Sequence, residues 1–223
     1  MTTTIARPTR QASRAGWLVP VGLILLTLIP IVAGAARVTE LSGAPAITAD
    51  NARFVTSPIP VIVHIVGATL FSILGAFQFV PGLRRRNRWH RLAGRVLVPA
   101  GAAVALSGIW MAVISEHAPA DGVALSALRV IFASLMLAFI ALGVRSIIRR
   151  DFVSHGAWMT RAYALAVAAG TQAIVLIPQT IIFGKYEETS RAVFMGAAWV
   201  INLGIAELVI RRRAARRTVR SAS

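Results

Sequence analysis

The stretch HIVGATLFSILGAFQFVPGLRRRNRWHRLAGR, residues 64–95, decides the fold of this chain. Its first half is an apolar segment that, as a helix, is long enough to cross the hydrocarbon core of a bilayer. Its second half is predicted to be a short basic loop. Because such a loop is not readily carried across a membrane, it predicts that this end of the segment faces the cytoplasm. The arginines of the predicted loop are Arg84, Arg85, Arg86, Arg88, Arg91 and Arg95.

The composition of the chain favours an integral membrane protein. Hydrophobic residues make up 57% of its 223 positions, and the mean hydropathy of +0.71 exceeds what a soluble core absorbs. A net charge of +16 would also suit a nucleic-acid-binding protein. The arginines, however, lie between and beyond the apolar blocks, so they predict membrane topology and no nucleic-acid partner. The absence of cysteine excludes disulfides, thiolate-ligated iron–sulfur clusters and thioether-linked haem.

Six apolar blocks predict an all-α fold, an integral membrane six-helix bundle. Residues 1–15 are predicted to be a cytoplasmic N-terminal tail, residues 16–210 the transmembrane domain and residues 211–223 a basic cytoplasmic tail. The segment 37–57 is predicted to be an external loop with room for a short interfacial helix. The predicted spans are residues 16–36, 60–83, 96–115, 123–144, 162–183 and 192–210.

The distribution of basic residues predicts the orientation of the bundle. The predicted inner segments hold 19 arginines, whereas the predicted outer segments hold four basic residues. Both termini are therefore expected in the cytoplasm. One lysine against 23 arginines indicates a GC-rich bacterial genome, and hence the bacterial cytoplasmic membrane. Trp17, Trp89 and Trp158 fall near the predicted inner boundary, which agrees with this orientation.

One face of the second span carries its polar and small residues. His64, Ala68, Phe71, Gly75 and Gln78 follow one another in steps of four and three, which places all five on one side of a helix. This face is expected to look into the bundle, because polar side chains need partners within lipid. Ala68 and Gly75 would let a neighbouring helix or a flat ligand come close. For Gln78, a structural hydrogen bond between helices is the favoured interpretation.

The polar residues of the spans fall into two predicted layers. We expect Glu207, the only carboxylate within a predicted span, to neutralise Arg161 or an arginine of the tail. His117 lies in a predicted loop, where it is expected to be solvated. The outer layer contains His64, Arg129, Gln179 and His117, and the inner layer contains Gln78, His90, Arg95, His155, Arg161 and Glu207.

Three motifs carry a resemblance to a known family. The segments HIVGATLFSILGAFQFVPGL, WHRLAGR and SHGAWMTRAYAL resemble the bacterial multi-pass membrane proteins of domain of unknown function 2306, over roughly residues 59–179. The resemblance implies family membership and three candidate histidines, but no activity. Gln172 stands midway along the fifth span, where such families often have arginine. The matching positions are His64, Gly75, Gln78, Phe79, His90, Arg91, Gly94, Arg95, His155, Trp158, Met159 and Arg161.

The leading functional hypothesis is a bundle that binds haem b and transfers electrons. Transmembrane b-type cytochromes hold haem between histidines of facing helices, and no cysteine chemistry is available here. His90 and His155 would be the axial ligands, with His64 as a third site. The haem propionates would face Arg91, Arg95 and Arg161.

The rival hypothesis is a transporter of a small solute or of protons, or a scaffold that assembles another membrane protein. Phosphate loops, HExxH motifs and nucleophile elbows are absent from the sequence, which favours a protein that is not an enzyme. The expected partners of the protein are the lipid bilayer and either a membrane-protein partner or further copies of the chain. A purely structural role, in which the intramembrane polar residues bond only to one another, stays open. These residues are His64, Gln78, Arg129, Gln172, Gln179, Asn202 and Glu207.

Overall fold

The chain is a bundle of helices. The computed structural model describes residues 15–48, 51–80, 83, 87–115, 121–184 and 187–222, and this part of the chain contains no strand. All of its helices except the short α2 are long and apolar enough to cross a membrane. The predicted all-α architecture with six spans is therefore confirmed. The helices are α1 (Ala15–Ser42), α2 (Ala52–Val55), α3 (Pro58–Phe77), α4 (Asn87–Val113), α5 (Val123–Ile148), α6 (Phe152–Phe183) and α7 (Glu188–Ala222).

The prediction of a loop at residues 84–95 was wrong for most of its length. Helix α4 begins at Asn87, so His90, Arg91 and Arg95 are helical residues. Hydropathy reports only the part of a helix that lies in lipid, whereas arginine, leucine and alanine continue a helix into water at little cost. The positions Arg84, Arg85 and Arg86 lie outside the described residues.

Four other helices extend beyond their predicted spans. Helix α1 continues to Ser42, so the first residues of the predicted external loop 37–57 are helical, and α5 continues to Ile148. Helix α6 begins at Phe152, ten residues before the predicted fifth span, and therefore includes His155 and Arg161. Helix α7 continues through the predicted basic tail to Ala222. Helix α2 is the short helix expected between the first two spans. The predicted N-terminal tail up to residue 14, His117 and Lys185 lie outside the described residues.

Local sequence signals set several helix ends. Pro58 begins α3, where its missing N–H costs no hydrogen bond. Asp151 caps α6 by accepting a hydrogen bond of 2.9 Å from the backbone N–H of Ser154. Gly184 ends α6 with a φ of +87°, a conformation that residues with a Cβ rarely adopt.

Helix α6 is the centre of the bundle, because it packs against α1, α3, α5 and α7. The core of the bundle is a layer of buried side chains that includes Phe71, Leu97, Ile140 and Tyr163. The spans alternate in direction, which gives the bundle two ends. We call the end with the connections 43–57, 114–122 and 184–187 the Asp121 end, and the opposite end the His90 end.

Candidate functional site

The predicted polar face of α3 looks into the bundle, as expected, and lines two separate cavities. His64 and Ala68 line a cavity of about 300 Å³ near the Asp121 end. Phe71, Gly75 and Gln78 line a cavity of about 80 Å³ near the His90 end. We call them the Asp121-end cavity and the His90-end cavity. The buried core layer around Phe71 lies between them.

Asp121 holds three arginines together at the mouth of the Asp121-end cavity. Arg53 Nη1 and Arg129 Nη1 each donate to Asp121 Oδ2 at 2.8 Å, and Arg191 Nε donates to Oδ1 at 3.2 Å. The arginines come from α2, α5 and α7, so one carboxylate ties three elements together. The Asp121 side chain is 0% exposed. Arg53 and Arg129 also line the cavity.

The charges of this cluster do not cancel. Burial of Asp121 acts to raise its pKa, but the hydrogen bonds and charges of Arg129 and Arg53 outweigh burial and lower the pKa to about 2. Asp121 is therefore a carboxylate at neutral pH, and the cluster keeps an excess of two positive charges. Arg53 Nε is buried and has no hydrogen-bond partner. The mouth of the cavity thus offers both charge and a donor to an anion.

His64 lies in the wall of the same cavity in a defined tautomer. Its Nδ1 is 3.1 Å from the carbonyl oxygen of Val104 and 3.1 Å from Ser107 Oγ. A carbonyl only accepts, and the Ser107 hydroxyl donates to Ala103 O at 2.6 Å, so Nδ1 must carry the hydrogen. In the neutral ring, Nε2 is then the acceptor.

The rest of the Asp121-end cavity is apolar except for Ser115 and one buried amide. Gln172 lines it and donates to the backbone oxygen of Met195 at 3.4 Å, which is a long contact for a hydrogen bond. Phe132 and Trp199 also line it, with stacked rings whose centroids are 4.7 Å apart. The cavity therefore has a charged mouth and an apolar, aromatic interior.

The two inner histidines, which the haem hypothesis pairs as ligands, both line the His90-end cavity. His155 Nδ1 donates to Gly143 O at 2.9 Å. His90 Nδ1 bonds to Gln78 Oε1, which is the structural hydrogen bond between helices expected for Gln78. The Tyr163 ring fills the space beside Gly75, where a Cβ would be 2.3 Å from it. A neighbouring helix, and not a flat ligand, thus approaches Gly75.

The arginines expected to face haem propionates do not line the His90-end cavity. Arg91 and Arg95 are exposed on α4. Arg161 donates to the Glu207 carboxylate from Nε at 2.5 Å and from Nη2 at 3.0 Å, which is one of the two kinds of ion pair expected for Glu207. Among the described residues, the arginine that lines this cavity is Arg213, whose guanidinium lies 5.7 Å from the centre of the Phe79 ring.

Two predicted intramembrane polar residues have structural partners. Gln179 is fully buried and donates to Gly184 O at 3.1 Å and Ser190 Oγ at 3.0 Å, which links the end of α6 to the first turn of α7. Asn202 donates to Thr171 Oγ1 at 2.7 Å across the same pair of helices. The structural interpretation therefore accounts for both, and neither lines the Asp121-end cavity or the His90-end cavity.

The sequence did not identify Asp121 as the centre of a site. An arginine within a span, such as Arg129, indicates that a carboxylate lies nearby. Several carboxylates are close to that end in the sequence, among them Glu40, Glu187 and Glu188, and spacing does not choose between them. Within the described part of the chain, no three histidine, aspartate or glutamate side chains cluster to hold a metal ion.

The fold and the apolar helices define this chain as a multi-pass membrane protein. Residues 61–210 match the family described as "Predicted membrane protein (DUF2306)". The match covers more than half of the chain, so the chain belongs to this family of unknown function. None of the curated proteins matches the chain. Nor does any solved structure.

Proposed function

We propose that this protein binds a small amphipathic organic anion in the Asp121-end cavity, as the substrate site of a solute carrier in the bacterial cytoplasmic membrane. The observation that carries the proposal is the Asp121 cluster, where three arginines share one carboxylate at the mouth of an apolar cavity. Near a low-dielectric interior, an excess of two positive charges favours an anion strongly.

The dimensions of the cavity support a small ligand. Its volume of about 300 Å³ lies at the lower end of the range of about 300–1,000 Å³ for small-molecule sites. Arg129 lies six residues from the start of α5, which is about 9 Å along the helix. Trp199 lies eleven residues from the start of α7, which is about 16 Å. An anion at the mouth would thus extend its apolar part towards the middle of the bilayer.

The arrangement along α3 favours a carrier over a receptor. One face of α3 lines both cavities, and the packed layer with Phe71 and Tyr163 closes the passage between them. A carrier that works by alternating access needs a binding site within the bundle and a packed layer that closes it off from the other side of the membrane. The excess of arginine at the His90 end supports the proposed orientation, in which the Asp121-end cavity opens away from the cytoplasm.

Binding of monocarboxylates to the purified protein tests this proposal. We expect hexanoate and benzoate to bind the wild type in phosphatidylcholine nanodiscs, whereas the neutral benzamide does not. Arg129→Gln should weaken benzoate binding about tenfold or more, because one charge-assisted contact is lost. Arg129→Lys keeps the charge and should lose less. The measurement is isothermal titration calorimetry.

The control for this experiment is Arg145→Gln, which removes an exposed arginine from the opposite end of the same helix. Its affinity for benzoate should equal that of the wild type. Thermal unfolding of each variant establishes that it is folded before its affinity is compared. Absence of carboxylate binding to the wild type, or equal affinity in a folded Arg129→Gln variant, would contradict the proposal.

Haem b between His90 and His155 is the second candidate. The observation in its favour is that both imidazoles line one cavity with Nδ1 against a carbonyl oxygen, the arrangement that orients metal-ligating histidines. The volume does not fit. About 80 Å³ is well below the range of small-molecule sites, and Tyr163 fills the space beside Gly75. Haem would require α3 and α6 to separate.

The visible spectrum tests the haem hypothesis, which stays a prediction. Haem ligation by His90 and His155 predicts a Soret band in protein purified from haem-sufficient cells. It also predicts that His155→Ala removes the band, whereas His64→Ala keeps it. A wild-type spectrum without a Soret band in both oxidised and reduced samples would exclude haem.

A further inference from the structure

We infer that the ligand of the Asp121-end cavity is a compact aromatic acid, and that Trp199 and Phe132 select its ring. This inference rests on the proposed anion site and goes beyond it, because it names the chemical class of the ligand. It follows from the interior of the cavity, below the arginines of its mouth. The observations are the aromatic wall, the placement of methionine and the closed lower end.

The aromatic wall is formed by two helices. Phe132 of α5 and Trp199 of α7 stack with an interplanar angle of 22° and centroids 4.7 Å apart, and both line the cavity. Trp199 packs against both buried clusters of the bundle, so its ring is held in place from behind. A pre-positioned ring stacks on another aromatic ring at little entropic cost, whereas it gains less from a saturated one.

Methionine is concentrated around the same space. Three of the five methionines of the chain, Met111, Met136 and Met195, line this cavity. Thioether sulfur makes favourable contacts with the edges of aromatic rings, and the unbranched side chain adapts to a flat ligand. Leucine, which is abundant in the spans, would supply equal apolar area without this preference. The lining therefore favours a polarisable ring over an aliphatic body.

The lower end of the cavity limits the length of the ligand. Ala105, Met136 and Leu165 line it and are at most 4% exposed, so the cavity ends on the tightly packed core. A long acyl chain would need a groove that continues past this layer. A single ring carrying a carboxylate fits a cavity of about 300 Å³, with the carboxylate near Arg53 and Arg129.

His64 completes the recognition of such an acid. Its Nδ1 donates to Val104 O, so the Nε2 of the neutral ring accepts a hydrogen bond. His64 lies six residues into α3, about 9 Å along the helix, the same depth as Arg129 in α5. The Arg129 guanidinium reaches back to Asp121 at the mouth, so His64 lies deeper than the bound carboxylate, and a hydroxyl on the part of the ring away from the carboxylate would find an acceptor there.

The test compares two acids of equal carbon number, benzoate and cyclohexanecarboxylate, on the full chain in nanodiscs. We expect benzoate to bind the wild type about three- to tenfold more tightly than cyclohexanecarboxylate. In Trp199→Leu this ratio should fall to about one, with cyclohexanecarboxylate affinity nearly unchanged. The matched control is Trp110→Leu, which replaces a tryptophan that is 49% exposed on α4 and should keep the wild-type ratio.

The outcomes separate this inference from the proposed function. Equal binding of both acids by the wild type would overturn the aromatic selectivity and leave the anion site standing. Binding of neither acid would overturn both proposals. If Trp199→Leu fails to fold, Met195→Leu is the second variant, because it conserves the side-chain volume. It should lower the preference for benzoate over cyclohexanecarboxylate in part. If both variants fold and still prefer benzoate over cyclohexanecarboxylate as strongly as the wild type does, the inference is also overturned.

Discussion

Gly170→Ala is expected to lower the melting temperature of the protein by about 6–12 °C, which corresponds to roughly 3 kcal/mol for a chain of this size. A Cβ at position 170 would lie 2.0 Å from the backbone oxygen of Leu26 in α1 and 2.7 Å from its carbonyl carbon. These are backbone atoms, so rotation of a side chain does not relieve the clash. Helices α1 and α6 would have to separate.

The sequence of α1 explains why this contact is so close. Pro30 lies inside α1 and has no N–H, so the carbonyl of Leu26, four residues earlier, lacks its usual helical donor. That carbonyl points at Gly170, where only a residue without a side chain fits. Helix α1 packs mainly against α3 and α6, so the contact with α6 is a large part of what holds it in the bundle.

Thermal unfolding in detergent measures the effect of Gly170→Ala. The control is Gly204→Ala on α7, because a Cβ there meets no atom within 4 Å. This variant should be as stable as the wild type or slightly more stable, since alanine favours helix. If Gly170→Ala had the same melting temperature as the wild type, the close contact between α1 and α6 would be contradicted.

Asp121→Asn is expected to lower the free energy of unfolding by about 3–5 kcal/mol, the usual range when one partner of a buried ion pair is removed. The asparagine keeps the size of the side chain but leaves Arg53, Arg129 and Arg191 to repel one another. These arginines join α2, α5 and α7, so the Asp121 end should loosen as a unit. Chemical denaturation of the purified protein measures the loss.

The matched control is Asp151→Asn at the exposed start of α6. Asparagine caps a helix as well as aspartate does, so the free energy of unfolding should change by less than about 0.5 kcal/mol. If Asp121→Asn also changed the free energy of unfolding by less than about 0.5 kcal/mol, Asp121 would not be needed to hold the three arginines together.

The stabilisation by Asp121 also predicts a dependence on pH. Its pKa in the folded protein is lowered from 3.8 to about 2. A lowered pKa means that the unfolded chain takes up the proton first as the pH falls. The stabilisation is therefore fully present above pH 4 and is lost between about pH 4 and pH 2. In Asp121→Asn this part of the acid sensitivity should disappear.

The six spans could be predicted because lipid imposes the same demand on each of them. A spanning helix needs about 20 apolar residues, and this property is read directly from the chain. The inward face of α3 followed from spacing alone, because His64, Gly75 and Gln78 share one side of a helix and polar groups avoid lipid.

The helix ends at the His90 end could not be predicted from hydropathy. The segment around His90 is polar, yet it is helical, because its residues are good helix formers and a helix does not stop at the lipid boundary. In the sequence, Gly75 indicated only that a neighbouring helix or a ligand approaches α3 closely. Its neighbour proved to be Tyr163, which is 88 residues away from Gly75 and donates to Ser72 O at 2.8 Å.

The sequence by itself determined the class of protein, the number of spans and the inward face of α3, because these depend on composition and helical periodicity. Only the tertiary structure decided that Arg53, Arg129 and Arg191 converge on Asp121 and that Phe132 stacks on Trp199. Arg129 is only eight positions from Asp121, but the other pairings join residues about 70 positions apart, and they depend on which helices become neighbours. The spacing of residues along the chain does not reveal which helices become neighbours, because that depends on how their apolar faces pack.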